Sequence, residues 1–332
     1  MSVSWEALFQ QLRSHQRFIL TSHIRPDCDA LGSELGMAGI LEAMGKQVQI
    51  LNGHPTPPSL AFLDPAERIQ VIGQDIHPDE VRGDCLMVLD TSAWAQLGPM
   101  ADVVRRFPGT KLVLDHHVGE DDLGAMLFKD TSAEATGTLV FQCAQGLGIP
   151  VTRSIAKPLY AAIATDTGWF RFGSTNSRTY QVVGQLVDAG ASPSEIYRDL
   201  YECDTIGRVR LRGRILARVS EALDGQIVHT YVKKEDFTET GALPSDTEDV
   251  INQTLAIAGT KVAFIMIEQL KGGYKISFRS RCHVDCNQLA GLFGGGGHRA
   301  AAGAFLEGDF VEIQRRLLDA AIAAFQQPPQ ST

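Results

Sequence analysis

The 332-residue sequence contains no uninterrupted apolar run of the ~18 residues needed to span a bilayer. It also lacks a basic N-terminal stretch followed by an apolar one, so no secretory signal is predicted. Charged residues make up 21% of the chain and apolar residues 44%, which excludes wholesale disorder and allows a substantial core. These features predict a folded cytoplasmic protein with no membrane partner.

Positive charge is not in excess either. The net charge is −9, which argues against broad binding to duplex nucleic acid, because such binding needs a basic face. A short nucleotide held by metal ions and a few arginines remains compatible with this charge. The six cysteines are scattered and are predicted to be reduced thiols. Cys282 and Cys286 flank a histidine, but without a second ligand pair nearby they do not predict a zinc site.

The first half of the chain alternates apolar runs with helical patterns. Such alternation predicts a parallel sheet with right-handed crossovers and helices on both faces. One helix is predicted over Ala30–Met44, where apolar residues recur at a helical period. The predicted strands of this sheet are Arg17–His23, Gln47–Asn52, Cys85–Thr91 and Lys111–His117.

The fold class predicted for the whole chain is α/β, with a large parallel-sheet domain joined by a helical linker to a smaller α/β domain. The proposed boundaries are 1–195, 196–223 and 224–326, and residues 327–332 are predicted to be disordered. The arginine-rich stretch Asp199–Leu223 is interpreted as one connecting helix. The smaller domain is predicted to contain strands Gln226–Val232, Lys261–Gln269 and Tyr274–Arg279 and helices Thr247–Ala258, Asp285–Phe293 and Phe310–Phe325.

Aspartates and histidines lie where predicted strands of the large domain end. In open α/β sheets ligands bind beyond the carboxyl ends of the strands, so these side chains should meet at one edge. Carboxylate oxygens suit Mg²⁺ and Mn²⁺, and Mn²⁺ tolerates imidazole better. The acidic groups are too many for one ion and suit two. The predicted metal ligands are His23, Asp27, Asp29, Asp90, His116 and Asp166.

Each of these residues also has a simpler interpretation. Asp29 could be the N-cap of the following helix, and Asp90 could be a turn former. His117 could serve only to orient its neighbours. Asp and His residues occur in four such segments, and this joint pattern favours metal binding over a separate explanation for each residue. Paired metals activate water and clamp a displacement at phosphorus, so the pattern indicates hydrolysis of a phosphate ester.

These motifs resemble those of the DHH–DHHA1 phosphoesterases, which include RecJ-type exonucleases and bacterial oligoribonuclease (nanoRNase)/pAp phosphatases. Asp115-His116-His117 is similar to the motif that names the family, and the segment from His23 to Ser33 is similar to its first motif. The resemblance extends over nearly the whole chain. It also includes Asp90–Ser92, Thr165–Gly168, Ser277–Ser280 and Gly294–His298.

The resemblance implies two divalent ions, Mn²⁺ first and Mg²⁺ as the alternative. One ion would be bound by His23, Asp27 and Asp90. The other would be bound by Asp29, Asp90, His116 and Asp166, with Asp90 shared. It implies a catalytic group formed by Asp90, His116 and His117. The family's usual glycine between the first two aspartates is Cys28 here, and the Asn often found after the triplet is missing from Val118–Asp121.

Four consecutive glycines, Gly294–Gly297, precede His298. One or two would suffice for a turn, and glycine lets a backbone approach an anion closely. The run lacks the ending of a Walker loop, and a plain flexible loop is the alternative. Arg279 precedes it and could grip a phosphate with two hydrogen bonds. The predicted substrate-binding residues are Arg279, Ser280, Gly295, Gly296, Gly297 and His298.

Together the residues and the resemblance predict an enzyme that hydrolyses short single-stranded RNA or DNA oligonucleotides to 5′-mononucleotides. Action on the 3′-phosphate of pAp is a further expectation. The alternatives are a stand-alone phosphodiesterase for cyclic dinucleotides and a nucleotide sensor with an inactive site. The sequence leaves the oligomeric state open between a monomer and a homodimer.

Overall fold

The computed structural model describes residues 3–247 and 250–327. The chain divides into two compact units, Met1–Cys203 and Asp204–Thr332. No helix among the described residues is long and apolar enough to cross a membrane. Each unit has its own sheet and its own hydrophobic core.

The first unit alternates strands and helices along most of its length and then becomes entirely helical. Its elements are α1 (Trp5–Ser14), β1 (Arg17–Thr21), α2 (Cys28–Ala43), β2 (Gln47–Asn52), β3 (Ile69–Val71), β4 (Cys85–Leu89), α3 (Trp94–Leu97), α4 (Met100–Arg106), β5 (Thr110–Asp115), β6 (Met126–Lys129), α5 (Thr136–Leu147), α6 (Arg153–Asp166), α7 (Ser177–Asp188) and α8 (Pro193–Tyr201).

Its six strands form one parallel sheet in the order β3-β2-β1-β4-β5-β6. Alternate residues of the central strands enter two different core clusters. Met87 of β4 packs in the cluster that contains residues of α2, α5 and α6, whereas Val88 packs with residues of α4. Helices therefore cover both faces of the sheet, and the predicted α/β class is confirmed.

The strand predictions differ from the structure mainly at their ends. Gln47–Asn52 is correct, but β1, β4 and β5 each end two residues earlier than predicted, because His23, Thr91 and His117 lie in the loops that follow. The short edge strands β3 and β6 were not predicted, since three or four residues carry too little pattern. The mainly helical region predicted from residue 134 onwards is confirmed by α5 to α8.

The second unit is a mixed sheet with helices. It contains α9 (Ile206–Ala217), β7 (Ser220–Ala222), β8 (Ile227–Val232), α10 (Lys234–Thr240), α11 (Val250–Leu255), β9 (Val262–Glu268), β10 (Tyr274–Ser280), α12 (Cys286–Gly291), β11 (Gly296–Gly297), β12 (Ala301–Leu306) and α13 (Phe310–Gln326). The strand order is β11-β12-β10-β9-β8-β7; β8 and β9 are parallel and the other neighbours antiparallel.

The single connecting helix predicted over Asp199–Leu223 is wrong. The region contains the end of α8, then α9, then β7. A new helix begins because the Thr205 hydroxyl caps it, accepting a hydrogen bond from the Arg208 amide at 3.0 Å. Arg214 and Arg218 both pair with Asp236 of α10, so part of the basic stretch is used inside the second unit.

The predicted helix Thr247–Ala258 is shorter in the structure. Residues Pro244–Thr247 form a 3₁₀ turn and α11 covers only Val250–Leu255, while residues 248 and 249 lie outside the described residues. The predicted disordered tail also lies outside them, except for Gln327. The strand β12 was not predicted, because its Ala- and Gly-rich sequence lacks the β-branched residues typical of strands.

Candidate metal centre

The predicted ligands follow three neighbouring strands of the first sheet. His23 comes two residues after β1, Asp90 directly after β4, and His116 directly after β5. Since β1, β4 and β5 are adjacent and parallel, their carboxyl ends share one edge of the sheet. The fold thereby brings together side chains that are far apart in sequence.

Helix α2 supplies two more carboxylates at its start. Asp27 is the N-cap, and its Oδ1 accepts hydrogen bonds from the amides of Asp29 at 3.0 Å and Ala30 at 3.1 Å. The cap is therefore Asp27 and not Asp29, which resolves the alternative interpretation of Asp29. Asp29 is buried, and its two oxygens accept the amides of Thr136 and Gly137 of α5, each at 2.8 Å.

One group of side chains forms around His23. Its Nε2 lies 3.4 Å from Oδ2 of Asp90 and 3.7 Å from Oδ1 of Asp27. The other ring nitrogen, Nδ1, contacts the Ile24 carbonyl at 3.0 Å. A carbonyl partner favours a proton on Nδ1, and this leaves Nε2 available as a ligand.

A second group forms around His116 in the same manner. Its Nε2 lies 3.5 Å from Oδ1 of Asp90, 3.6 Å from Asp166 and 3.8 Å from Asp29. Its Nδ1 contacts the Ala133 carbonyl at 3.2 Å. Asp166 reaches this group because it is the last residue of α6.

Asp90 belongs to both groups through different oxygens. Oδ2 faces His23 and Oδ1 faces His116. The side chain is 2% exposed, and the Thr136 hydroxyl donates a hydrogen bond to Oδ1 at 2.8 Å. Asp90 also has a φ of 62°, a left-handed conformation that Asp tolerates better than most residues. The backbone turns sharply here and leaves the carboxylate between the two histidines.

The crowding of acidic groups changes their protonation. Burial, together with the charges of Asp90 and Asp166, raises the pKa of Asp29 well above its usual value. Burial is also the main cause that raises the pKa of Asp166 to about 6, with Asp90 and Asp27 adding to it and His116 opposing it. Burial lowers the pKa of His23, but its interactions with Asp27 and Asp90 outweigh this and raise it to about 11.

Asp115, the first residue of the Asp-His-His triplet, belongs to neither of the two groups. Its Oδ1 accepts the Nδ1 proton of His117 at 2.9 Å, and its Oδ2 accepts the Ser92 hydroxyl at 2.7 Å. Lys129, whose side chain is 8% exposed, lies 3.2 Å from the same Oδ2. Lys129 could not be predicted as a functional residue from the sequence, because it ends the unpredicted strand β6.

His117 lies at the surface beside Asp90. Its Nδ1 is 3.8 Å from Oδ1 of Asp90, and the ring is 54% exposed. The hydrogen bond to Asp115 is the largest cause that raises the pKa of His117. An exposed imidazole next to buried carboxylates can meet a ligand from solvent.

The donor set fits two divalent cations. Three groups have ligand atoms within 4.8 Å of one another: His23–Asp27–Asp90, Asp29–His116–Asp166 and Asp90–His116–His117. The first two contain all six predicted ligands. Carboxylate oxygens suit both Mg²⁺ and Mn²⁺, and each of these two groups adds one imidazole. The Cys282–Cys286 segment is not among the metal-binding groups found in the described residues.

In the second unit, some of the predicted substrate residues line one cavity. This cavity of about 600 Å³ is bordered by Arg279, by Ser277 and by Gly295, Gly296 and Gly297. Ser280 does not line it, because successive residues of β10 point to opposite faces and Ser280 is buried. His298 is exposed in the turn that precedes β12 and is not in the lining either.

Packing inside the second unit also requires glycine at two positions of the glycine run. A Cβ on Gly295 would lie 2.1 Å from the Gly303 carbonyl oxygen, and one on Gly297 would lie 2.6 Å from Ala302 Cα. Both glycines are therefore required for the close pairing with β12. At Gly296 a Cβ would meet only the Asn287 side chain, at 3.4 Å, so Gly296 is the most open of the three glycines that border the cavity.

Comparison with known families agrees with this division of the chain. Residues 17–163 match the DHH family, N-terminal domain, and residues 224–327 match the DHHA1 domain. The first match includes five of the six predicted metal ligands, and Asp166 follows three residues after it. The second includes Arg279 and the glycine run.

Known relatives extend over almost the full length. The chain is 29% identical over 317 residues to the bifunctional oligoribonuclease and PAP phosphatase NrnA of Bacillus subtilis (strain 168), covering 94% of this chain and 96% of that protein. It is 30% identical over 302 residues to the protein of the same name from Thermus thermophilus, covering 91% of this chain and 88% of that protein.

Among solved structures, an exopolyphosphatase-related protein from Bacteroides fragilis matches with a TM-score of 0.85 and 26% identity. The match covers 97% of this chain and 95% of that one. The resemblance seen in the motifs is thus confirmed in sequence and in fold, and the chain belongs to the DHH–DHHA1 family.

Proposed function

We propose that this protein is a metal-dependent phosphoesterase that hydrolyses short oligonucleotides to 5′-mononucleotides and removes the 3′-phosphate of pAp. The two relatives compared above carry this pair of activities in their names. The observation that supports the proposal most directly is Asp90, whose two oxygens face two separate groups of ligands. A carboxylate in this position could be shared by two ions, which is the arrangement that a two-metal hydrolytic site would need.

His23, Asp27 and Asp90 would hold one ion, and Asp29, Asp90, His116 and Asp166 the other. Bound metals of this kind lower the pKa of a coordinated water and neutralise charge on a phosphoryl group. The protein's own contribution is to fix the ligands. Backbone carbonyls orient His23 and His116, and amides of α5 hold Asp29. We propose Mn²⁺ as the preferred ion because each group includes an imidazole.

We propose that the exposed His117 contacts the substrate phosphate. Asp115 accepts the Nδ1 proton of His117, which leaves Nε2 free to interact with a ligand. In the second unit Arg279 and the glycines that share its cavity are proposed to bind a substrate phosphate as well. All six cysteines are free thiols, which supports the cytoplasmic location proposed for the enzyme.

The proposal is tested by time courses with RNA of two to ten nucleotides, pAp and cyclic di-AMP, each with Mn²⁺ and with Mg²⁺. We expect 5′-mononucleotides to be released from the shortest RNAs and phosphate from pAp, faster with Mn²⁺. Hydrolysis of cyclic di-AMP alone would favour the cyclic dinucleotide alternative. Binding of these compounds without any turnover would favour the inactive sensor.

Asp90→Ala provides the sharpest test of the paired site. Each metal interaction contributes several kcal/mol to the transition state, so we expect kcat to fall by about 10³-fold or more. Asp130→Ala is the matched control, because Asp130 also follows a strand of this sheet, but its carboxylate accepts hydrogen bonds from Ser132 and is in none of the ligand groups of the described residues. Equal activity of the two variants would rule out a shared ligand.

A further inference from the structure

The turn that follows Asp166 has an unusual backbone. Gly168, Trp169 and Phe170 have φ values of 57°, 58° and 63° in succession. Left-handed residues other than glycine are normally isolated, so two consecutive aromatic residues in this region represent strain. Strain of this kind is retained where the surrounding structure enforces it, and it is concentrated at functional sites.

Several contacts enforce this turn. The Thr167 hydroxyl accepts the Phe170 amide at 3.1 Å, and the Thr167 carbonyl accepts the amides of Arg171 and Phe172 at 3.0 Å. The two strained aromatic rings pack into an aromatic cluster of the first unit. The ring centroid of Trp169 is 5.0 Å from that of Tyr197, and the ring centroid of Phe170 is 5.7 Å from that of Tyr180.

Phe172 is directed differently from these two rings. Its side chain is 56% exposed, although it is one of the largest apolar side chains of the unit. The end of its ring lies against the backbone of Gly168, where an added Cβ would be only 2.4 Å from Cζ. The strained turn thus holds the exposed Phe172 ring against the backbone of Gly168, which is two residues after Asp166.

We propose that Phe172 is a stacking surface for a nucleobase of the substrate whose phosphate is bound at the Asp166 side of the metal centre. This inference rests on the proposed function. Aromatic rings bind bases of single-stranded nucleic acids by stacking, and they do so with little sequence preference because every base has a flat π face. An enzyme that degrades short oligonucleotides of any sequence needs this type of contact.

The test compares Phe172→Ala, Phe172→Leu and Phe172→Trp on pApA and on two analogues that each lack one base. Loss of one stacked base should lower kcat/KM of Phe172→Ala on pApA by about 5- to 100-fold. Phe172→Trp should retain the wild-type kcat/KM on pApA, because it keeps an aromatic face. Phe172→Leu should lose activity as Phe172→Ala does, because it has no aromatic face. With one of the two abasic analogues, the wild type and Phe172→Ala should be equally active, because the base that stacks is absent.

Tyr180→Ala is the matched control, since Tyr180 is equally exposed and packs beside the same turn. It should leave the base dependence unchanged. An equal loss for Phe172→Ala on pApA and on both analogues would mean that Phe172 only supports Asp166, and the stacking surface would be rejected. If the wild type hydrolysed none of these substrates, the proposed function would be rejected, and this outcome differs from those that reject the stacking surface.

Calorimetric titration of pApA against the wild type and Phe172→Ala would then still test the stacking surface. Equal affinity of the two proteins for pApA would reject it.

Discussion

At the scale of residues, the ligands could be predicted from the sequence because they follow apolar strands directly. His23, Asp90 and His116 each lie within two residues of a strand end, and parallel strands end at one edge. Their supporting contacts could not be predicted. Lys129 contacts Asp115 only because the short strand β6 pairs with β5 at that register. A single charged residue in an edge strand carries no signal of a buried role.

Lys129→Met should therefore reduce activity although the lysine is not a predicted ligand. Its Nζ also donates to the Ser92 hydroxyl at 2.8 Å and to the Gly119 carbonyl at 2.6 Å. Removing it leaves Asp115 buried without its cation and loosens the support of His117. Loss of such a supporting contact typically costs about 10- to 100-fold, and we expect that fall in kcat.

Lys111→Met, on the neighbouring strand β5, is the control for loss of a lysine from this sheet. It should retain the wild-type rate, and Mn²⁺ affinity of both variants should be measured by calorimetry. A Lys129→Met enzyme with unchanged kcat would show that the Asp115–His117 pair does not depend on this lysine.

At the scale of elements, the packing of α2 against α6 determines how far Asp29 lies from Asp166. Gly32, Gly36 and Gly39 of α2 face Pro158, Leu159 and Ile155 of α6. The start of α2 consequently lies beside the end of α6, where the two carboxylates meet. The sequence predicted α2 from its apolar period, but a glycine pattern does not reveal which helix will approach it.

Gly32→Ala tests this close approach. An added Cβ would lie 2.4 Å from the Pro158 carbonyl oxygen, which belongs to the backbone and cannot move aside easily. Overpacking of this kind costs about 1–3 kcal/mol, and we expect that loss in the free energy of unfolding measured with urea. Mn²⁺ affinity should fall as well, because α2 carries Asp29.

Gly184→Ala is the helical control. No atom lies within 4 Å of a Cβ placed on Gly184, so alanine should leave stability unchanged or raise it by about 0.5–1 kcal/mol. If Gly32→Ala changed the free energy of unfolding no more than Gly184→Ala, the close contact between α2 and α6 would not be required for stability.

At the scale of the whole molecule, two domains could be predicted from length and pattern, but the sheet that α9 covers could not. The second unit begins at Asp204 and includes α9, because Leu211 and Ile215 belong to the same core cluster as Val228 and Ile265. An amphipathic helix does not indicate which sheet it covers. All six predicted metal ligands belong to the first unit.

Mn²⁺ should therefore stabilise the first unit alone, and calorimetric scans should show this as an upward shift of its unfolding transition.

The shift in the unfolding temperature that Mn²⁺ causes should increase with pH. The raised pKa values of Asp166, about 6, and His23, about 11, mean that the folded metal-free site binds protons more tightly than the unfolded chain. The stability of the metal-free unit consequently falls as the pH rises through about 6, because of Asp166, and falls further towards about 11, because of His23. At higher pH the metal ions compete with fewer protons for these ligands. Scans at pH 5 and pH 8 should separate these effects. Asp166→Asn should reduce the shift, because one of the two ions loses a ligand, whereas an equal shift at both pH values, or one in the second unit, would contradict a carboxylate–imidazole site.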